Sequence, residues 1–196
     1  MNDTYPDILL RPATRTDTTF IARCVLAGIE MLHIEEDLPN DMQPVFDHLV
    51  MLCQREDTLY SYLNTIIAEV DGETAGALVS YDGSNYAALR KTTFDLVERN
   101  TGVHVNQNPM ETGAGEYYLD GMAILPPYRG RNIGKRLIQD RIRYAHGSGI
   151  EAVTLLVDKD KPRLQAYYES LGFTFKEEVF AFGSWYNKML SRSDNA

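Results

Sequence analysis

Hydrophobic and polar positions repeat along this chain with two different periods, which together predict an α/β protein. The 3.6-residue period of amphipathic helices recurs in five segments, over residues 17–31, 44–55, 86–99, 133–146 and 162–171. Alternating or continuously apolar runs typical of strands cover residues 8–11, 60–70, 75–81, 117–125, 152–157, 173–182 and 185–190. Asp71-Gly72 joins the second and third runs and is typical of a tight hairpin turn. We therefore expect helices around a central sheet.

The stretch from Tyr117 to Lys135, YYLDGMAILPPYRGRNIGK, is the part of the chain around which the rest is organised. Its strand is followed by a short cationic loop made of Arg129, Gly130, Arg131, Asn132 and Gly134, and then by a helix. The first N–H groups of a helix lack partners within it and favour negative charge. Arginine suits phosphate oxygens, and glycine lets a backbone approach a ligand closely. The stretch therefore predicts a diphosphate site.

Composition narrows the class of protein. With 196 residues the chain is expected to be a single domain, 1–196, with a helical and loop insertion over about 84–115. A net charge of −9 argues against general nucleic-acid binding, which needs a cationic surface. The sequence shows no stretch of the roughly 20 apolar residues that span a bilayer, and no signal-like start, so we expect a cytoplasmic protein without membrane binding.

The positions of the cysteines and histidines indicate whether a disulfide or a metal site is expected. Cys24 and Cys53 lie within apolar helical patterns and are expected to be reduced thiols in the core. The histidines show no ligand spacing with each other or with these cysteines, so no metal site is expected.

Two motifs make the pattern recognisable as a family. Arg129-Gly130-Arg131-Asn132-Ile133-Gly134 resembles the acyl-CoA motif Arg/Gln-x-x-Gly-x-Gly/Ala of the GNAT superfamily of N-acetyltransferases. The segment 166–173, AYYESLGF, is similar to the family's C-terminal Tyr-Glu-x-x-Gly-Phe signature. Asn132 replaces the usual first glycine, but asparagine tolerates left-handed backbone better than most residues. Lys161 stands where the family often has an asparagine.

The resemblance implies a fold and a co-substrate. The implied fold is a mixed, mostly antiparallel twisted sheet of about six to seven strands flanked by helices, with a splayed parallel pair at the CoA site. The co-substrate would be acetyl-CoA. Its pantetheine arm would pair with the backbone of Met122, Ala123 and Ile124 like an added strand. Its pyrophosphate would bind the loop Arg129, Gly130, Arg131, Asn132, Ile133, Gly134 and Lys135.

The resemblance also implies catalytic residues. Tyr168 matches the family's usual general acid, which protonates the departing thiolate. Strand alternation places Tyr118, Asp120, Met122 and Ile124 on one face of the strand. Family members often carry an acid or histidine at positions matching 118 or 120, so Asp120 is the candidate base and Glu116 the reserve, although the family also tolerates having no dedicated base.

The charge of the residues expected around the acceptor site indicates which class of acceptor substrate would bind. Acidic residues that include Glu30 and Glu35 lie where the family builds its acceptor wall, and Tyr118 is placed beside them as a candidate substrate contact. A cationic primary amine of a small molecule or peptide would suit such a wall; an ordinary solvated acidic loop is the alternative. The resemblance leaves a homodimer open.

Two other functions compete with the enzyme. A non-catalytic acyl-CoA-binding regulatory domain would keep the phosphate loop and lack turnover. A dinucleotide-binding enzyme would also place glycines after a strand, as Gly130 and Gly134 are. However, Gly-x-x-x-Gly is not the G-x-G-x-x-G turn, and two arginines within it are unexpected.

Overall fold

The structure is a computed structural model, and it describes residues 7–105 and 107–192. Its strands are β1 Ile8–Pro12, β2 Thr65–Val70, β3 Glu73–Asp82, β4 Glu116–Ile124, β5 Ala152–Asp158, β6 Thr174–Ala181 and β7 Ser184–Arg192. Its helices are α1 Thr18–Gly28, α2 Gln43–Gln54, α3 Tyr86–Thr101, α4 Ile133–Gly147 and α5 Pro162–Glu169. Within these described residues, five α-helices and seven strands thus follow the predicted order.

The seven strands form a sheet in the order β1-β2-β3-β4-β5-β7-β6. The pairings of β1 with β2, β2 with β3, β5 with β7 and β6 with β7 are antiparallel. β4 and β5 are parallel, and their pairing covers Glu116–Tyr118 against Ala152–Thr154 while both strands continue beyond it. The predicted fold class, a mostly antiparallel mixed sheet with one parallel pair that separates and with flanking helices, is confirmed.

The described chain forms two compact units. The first contains the chain up to Val79 together with Gly121–Gln139, and the second contains Ser80–Asp120 together with the chain from Asp140 onward. The interior of the first is apolar and includes the fully buried Ile21, Leu26, Leu52, Ile67 and Leu137. The interior of the second is more aromatic and includes Tyr86, Tyr118, Phe173 and Met189. The expectation of a single domain stays a prediction.

Both cysteines are free and buried in the first unit, as predicted for core thiols. Burial raises the pKa of Cys53 to about 12, and burial followed by the neighbouring Cys53 raises the pKa of Cys24 as well. A thiol is a poor nucleophile and a poor metal ligand while it keeps its proton. These side chains therefore contribute packing rather than chemistry.

Local turn chemistry explains where the element boundaries fall. Asp71 and Gly72 both take positive φ, 53° and 83°, as the two central residues of a type I′ hairpin turn must. The strand predicted from Tyr60 begins only at Thr65, so its first part is wrong. The Ser61 hydroxyl accepts a hydrogen bond from Leu63 N–H at 3.1 Å and starts a short 3-10 turn there.

The first helix also ends earlier than predicted, at Gly28 rather than near residue 31. Glu30 takes a left-handed backbone with φ of 59°, which cannot continue an α-helix. The chain after it therefore leaves the helix axis and forms the segment 30–36. This acidic segment carries the candidate acceptor contacts.

Candidate active site

The loop between β4 and α4 contains two residues with left-handed backbone. Gly130 has φ of 76° and Asn132 has φ of 61°, and α4 begins directly afterwards at Ile133. A Cβ at Gly130 would meet no heavy atom within 4 Å, so the dihedral angle rather than crowding favours glycine there. The left-handed Asn132 agrees with the expectation that asparagine can replace the motif glycine. Amides around such left-handed residues and at a helix start form a concave group of donors suited to anions.

Arg129 contacts two parts of the first unit besides its own loop. Its Nε donates a hydrogen bond to the Ile124 carbonyl at 3.1 Å, and its Nη2 donates to Glu35 Oε2 at 3.2 Å. The Arg131 guanidinium lies 5.5 Å from the centre of the Tyr128 ring. Both arginines are exposed. The donors and positive charge of residues 129–135, named here the phosphate loop, therefore fit a diphosphate.

A cavity of about 790 Å³ lies beside this loop within the first unit. Pockets of this volume commonly hold small ligands. It is lined by the end of β4, by Arg129 and by residues of the segment that follows α1 (Ala27, Glu30, Met31, Leu32, His33, Ile34, Glu36, Met122, Ala123 and Ile124). The structure thus brings the predicted CoA strand and the predicted acceptor residue Glu30 to one space. Glu36 also lines the cavity, whereas Glu35 pairs with Arg129 instead.

Asp120 stands on the same strand, two residues before Met122, in the part of β4 that belongs to the second unit. Its Oδ2 accepts a hydrogen bond from the Tyr81 hydroxyl at 2.9 Å. Burial, and then the negative charge of Glu111, raise the pKa of Asp120 to about 7, and the Tyr81 hydrogen bond opposes this rise. A carboxylate that takes up a proton near neutral pH is suited to general base catalysis.

Glu111 is a site residue that the sequence did not reveal. Its Oε1 accepts from the Tyr86 hydroxyl and its Oε2 from the Tyr118 hydroxyl, both at 2.8 Å. Tyr118, predicted as a substrate contact, is only 2% exposed, and its hydroxyl donates its hydrogen bond to Glu111. The position of Glu111 within a polar segment carries no periodic signal, so only its neighbours in space identify it.

Glu116, the reserve base, is held by a different set of partners. It accepts from Lys176 Nζ at 2.7 Å and from Lys188 Nζ at 2.8 Å, and the Thr112 and Thr154 hydroxyls also donate to it. Burial opposes its ionisation, but the bonds from the two lysines outweigh it and lower the pKa of Glu116 to about 2. So strongly stabilised a carboxylate is a weak base, and its role is structural.

Tyr168 lies near the end of α5. Its carbonyl accepts from Leu171 N–H at 2.9 Å and from Phe173 N–H at 3.2 Å, which fixes the turn that follows the helix. Its ring meets the Phe173 ring edge-on at 5.9 Å and the Tyr167 ring at 5.5 Å. Burial, with a smaller contribution from Tyr167, raises the pKa of Tyr168 to about 12, so the phenol keeps its proton at neutral pH.

Neither a metal centre nor a membrane span is found in the described ranges, 7–105 and 107–192. No group of three or more His, Cys, Asp or Glu side chains is placed to hold a metal ion there. No helix in these ranges is both long enough and apolar enough to cross a membrane.

Solved structures share this fold over nearly the whole chain. A crystallised acetyltransferase superposes with a TM-score of 0.74 and 28% identity, covering 95% of this chain and 100% of its own. An N-acetyltransferase from Staphylococcus aureus Mu50 gives a TM-score of 0.76 and 23% identity, covering 93% and 99%. The second likeness is one of fold alone.

Sequence relatives point the same way. A mycothiol acetyltransferase of Paenarthrobacter aurescens (strain TC1) is 37% identical over 73 residues, which are 37% of this chain and span 22% of that relative's length. The model of the acetyltransferase (GNAT) family matches residues 30–173, which contain the phosphate loop and Tyr168. The chain therefore belongs to the acetyltransferase (GNAT) family and is an acyltransferase.

Proposed function

We propose that this chain is an N-acetyltransferase that moves an acetyl group from acetyl-CoA to a primary amine of a small molecule or peptide, by direct attack within a ternary complex. One observation carries the proposal. The cavity beside Arg129 is bounded by Met122, Ala123 and Ile124 and also by the acidic segment that contains Glu30 and Glu36. The pantetheine arm that carries the thioester needs the strand end, and a cationic amine needs the acidic segment. Both must border one cavity for the amine to reach the thioester.

Residues of the phosphate loop would hold the co-substrate. The amides around Gly130 and Asn132, the start of α4 and the two arginines provide donors for its pyrophosphate. The end of β4 would pair with its pantetheine arm through backbone groups. When bound, acetyl-CoA supplies an activated acetyl carbon and a thiolate leaving group.

The proposed catalytic residues each handle one proton. The amine must be neutral to attack, so it must lose a proton, and Asp120 is proposed to accept it directly or through a water. As the new carbon–nitrogen bond forms and the carbon–sulfur bond breaks, the leaving sulfur gains a proton, and Tyr168 is proposed to donate it. The nitrogen loses its second proton as it becomes an amide, and a proton returns to the Tyr168 phenolate through solvent. A backbone N–H of residues 122–124 is proposed to stabilise the negative charge that develops on the carbonyl oxygen.

The acceptor is proposed to be a cationic amine. Glu30 and Glu36 place carboxylates on the cavity, and Glu35 lies next to them in the chain. Thiol release from acetyl-CoA should therefore be measured over a panel of polyamines, amino sugars, lysine peptides and an amine related to mycothiol. Release with one cationic class, and none with neutral amines of similar size, is the expected result. Release that is equal for cationic and neutral amines would contradict this acceptor class.

Reversing the charge of Arg129 tests the phosphate loop. Arg129→Glu should weaken CoA binding by at least about 10-fold, because charge-assisted hydrogen bonds contribute roughly 1.5–3 kcal/mol each. The fold should be retained because the side chain is exposed, 53% in the ion pair with Glu35. Isothermal titration with CoA gives the affinity, and thermal unfolding gives the stability.

Arg143→Glu is the matched control for that variant. It makes the same charge change near the other end of α4, on a side chain that is 69% exposed. It should change CoA affinity far less than Arg129→Glu does. Equal weakening by the two variants would mean that net charge, rather than the phosphate loop, governs binding.

The ion pair between Arg129 and Glu35 makes a second, opposite prediction. If phosphates recruit Arg129, then Glu35 competes with them in the ligand-free protein. Glu35→Gln should therefore tighten CoA binding, by up to about five-fold since exposed ion pairs contribute up to about 1 kcal/mol. The same variant should raise the KM of a cationic acceptor, because the acidic segment loses a charge.

Asp37→Asn is the control for Glu35→Gln. It removes the same charge two residues further along the chain, just after the acidic segment, at an exposed position. CoA affinity should stay closer to that of the unaltered protein than in Glu35→Gln. If Asp37→Asn tightens CoA binding equally, the direct competition for Arg129 is refuted.

A further inference from the structure

Glu111 is a half-buried carboxylate that the proposed mechanism does not use. It stands in the segment between α3 and β4, and it shares its two oxygens between Tyr86 of α3 and Tyr118 of β4. Asp120, further along β4, accepts from Tyr81 of β3. These hydrogen bonds make two groups, and contacts of the Tyr81 ring with the rings of Tyr86 and Tyr118 join them. The two carboxylates and three tyrosines are here called the tyrosine network, and all of them lie in the second unit.

The three tyrosine rings fill the space between the two carboxylates. The rings of Tyr81, Tyr86 and Tyr118 pack against one another with centres 5.8 to 6.4 Å apart. These tyrosines are 4%, 0% and 2% exposed, respectively. The space is filled by the side chains themselves, so the two carboxylates act on each other rather than on a molecule between them.

The segment that carries Glu111 is held firmly against this network. Gly83 N–H donates to the Glu116 carbonyl at 2.8 Å. A Cβ at Gly83 would lie 2.1 Å from the Gly113 carbonyl oxygen, so the two backbones approach as closely as glycine permits. Thr112 donates to Glu116 at 3.0 Å. Glu111 is therefore positioned by backbone packing as well as by its tyrosine partners.

We propose that Glu111 is a positioning residue for the reaction, and that its fixed negative charge sets how readily Asp120 takes up a proton. The inference rests on the proposed function, in which Asp120 is the base. Two like charges that share a poorly solvated region cannot both ionise freely, so one of them retains a proton to higher pH. The rise in the pKa of Asp120 that Glu111 causes agrees with this geometry.

Other charged or titratable groups lie around Glu111 and Asp120, and each changes a pKa in this region in a definite direction. The Tyr81 hydroxyl of β3 donates to Asp120 and favours its ionised form. Arg90 of α3 lowers the pKa of Tyr86, against the larger effects of burial and Glu111. On β7, burial and then Asp158 and Glu111 raise the pKa of Tyr186. Tyr86 and Tyr118 keep their protons and serve as donors to Glu111.

The test is a titration of Asp120 itself in the full chain without substrate. The carboxyl carbon of Asp120 is followed by carbon NMR against pH, and Asp120→Asn identifies its signal. In Glu111→Gln the pKa of Asp120 should fall by about one unit, because one neighbouring charge is lost. In Tyr81→Phe it should rise, because a hydrogen bond to the ionised form is lost. Glu111→Asp keeps the charge and should remain close to the unaltered protein.

These outcomes separate the inference from the proposed function. An Asp120 titration that does not move in Glu111→Gln, or that moves equally in Glu111→Asp, overturns the role of Glu111. Should Glu111→Gln fail to fold, Glu111→Leu combined with Tyr86→Phe and Tyr118→Phe removes the same charge together with both of its donors. An Asp120 pKa that does not fall in this variant would overturn the role of Glu111. The base role is tested separately by the pH profile of kcat/KM. Full activity in Asp120→Asn would remove that role, while the NMR result on Glu111 would stand.

Discussion

Replacing Tyr168 with phenylalanine is expected to lower kcat by roughly 10²- to 10⁴-fold, the range in which a positioned general acid contributes. CoA affinity should change little, because the binding donors are assigned to the phosphate loop. The phenol is the group proposed to return a proton to the leaving sulfur. Without it, the thiolate must depart unprotonated or wait for water.

The substitution leaves the packing around position 168 intact. The edge-on contact of the ring with Phe173 and the contact with Tyr167 use ring carbons, and the turn after α5 is bonded through the Tyr168 carbonyl. Phenylalanine keeps all of these. Thermal stability should therefore stay near that of the unaltered protein, and the lost activity can be assigned to the hydroxyl.

The raised pKa of Tyr168 affects the expected pH profile. The pKa of the buried Tyr168 phenol is about 12, whereas that of an ordinary thiol in water is near 8.5. The phenol in the protein is therefore a weaker acid than such a thiol. Poorly solvated surroundings disfavour the charged thiolate and raise the pKa of the leaving thiol as well. The difference between the pKa values of the phenol and the thiol is therefore smaller in the site than this comparison gives. Tyr168 should remain protonated across the working range and cause no loss of activity below about pH 10.

Tyr167→Phe is the matched control. It removes a phenol next to Tyr168 on the same helix, and the pKa of that phenol is also raised by burial. Steady-state kinetics with acetyl-CoA and the best amine of the panel, together with CoA titrations, compare the two variants. Comparable losses in both, or full activity in Tyr168→Phe, would remove Tyr168 from the mechanism.

The sequence predicted the features that are determined by residues close together along the chain. The left-handed turn at Asp71-Gly72 follows from which residue types tolerate positive φ. The same preference explains why the loop before α4 forms with Asn132 in place of glycine. The order of strands and helices follows from local periodicity, and the motif around Tyr168 from its spacing to the phosphate loop. Each turn, element and motif depends on a few adjacent positions, and the two motifs are related by a fixed separation along the chain.

The features that the sequence did not reveal join residues far apart in the chain. Glu35 meets Arg129 across 94 positions, and Glu116 meets Lys188 across 72. Glu111 reaches Tyr86 from a segment without periodicity, 25 positions away. One sequence cannot show such pairs, because any acidic residue could partner any basic one until the backbone brings two of them together. The sequence likewise offers Glu116 as a reserve base because its bonds to Lys176 and Lys188 are visible only in the structure.

Removal of the Glu116 carboxylate is expected to be the most destabilising of the substitutions considered. In Glu116→Gln, Lys188 keeps a charge on a side chain that is 7% exposed but loses its anionic partner. Breaking one side of a buried ion pair in this way lowers the free energy of unfolding by about 3–5 kcal/mol. Lys176, 36% exposed, can turn to solvent and should add little.

Acid should reproduce part of this loss in the unaltered protein. The folded-state pKa of Glu116 is about 2, below its ordinary value of 4.5. Its ionised form therefore stabilises the fold fully above about pH 4.5, and this stabilisation declines as pH falls towards 2. Urea unfolding at a series of pH values should show a smaller pH dependence in Glu116→Gln than in the unaltered protein. The remainder comes from other carboxylates such as Asp17, whose pKa the Arg11 hydrogen bond lowers to about 2.

Two further variants separate the buried pair from general surface charge. Glu178→Gln breaks a pair with Lys159 in which both side chains are partly exposed, 47% and 38%, and should cost less than about 1 kcal/mol. Adding Lys188→Met to Glu116→Gln should recover stability, because methionine removes the uncompensated buried charge. If Glu116→Gln costs no more than Glu178→Gln, or if Lys188→Met makes the double variant worse, burial of the Lys188 charge does not account for the stability of this unit.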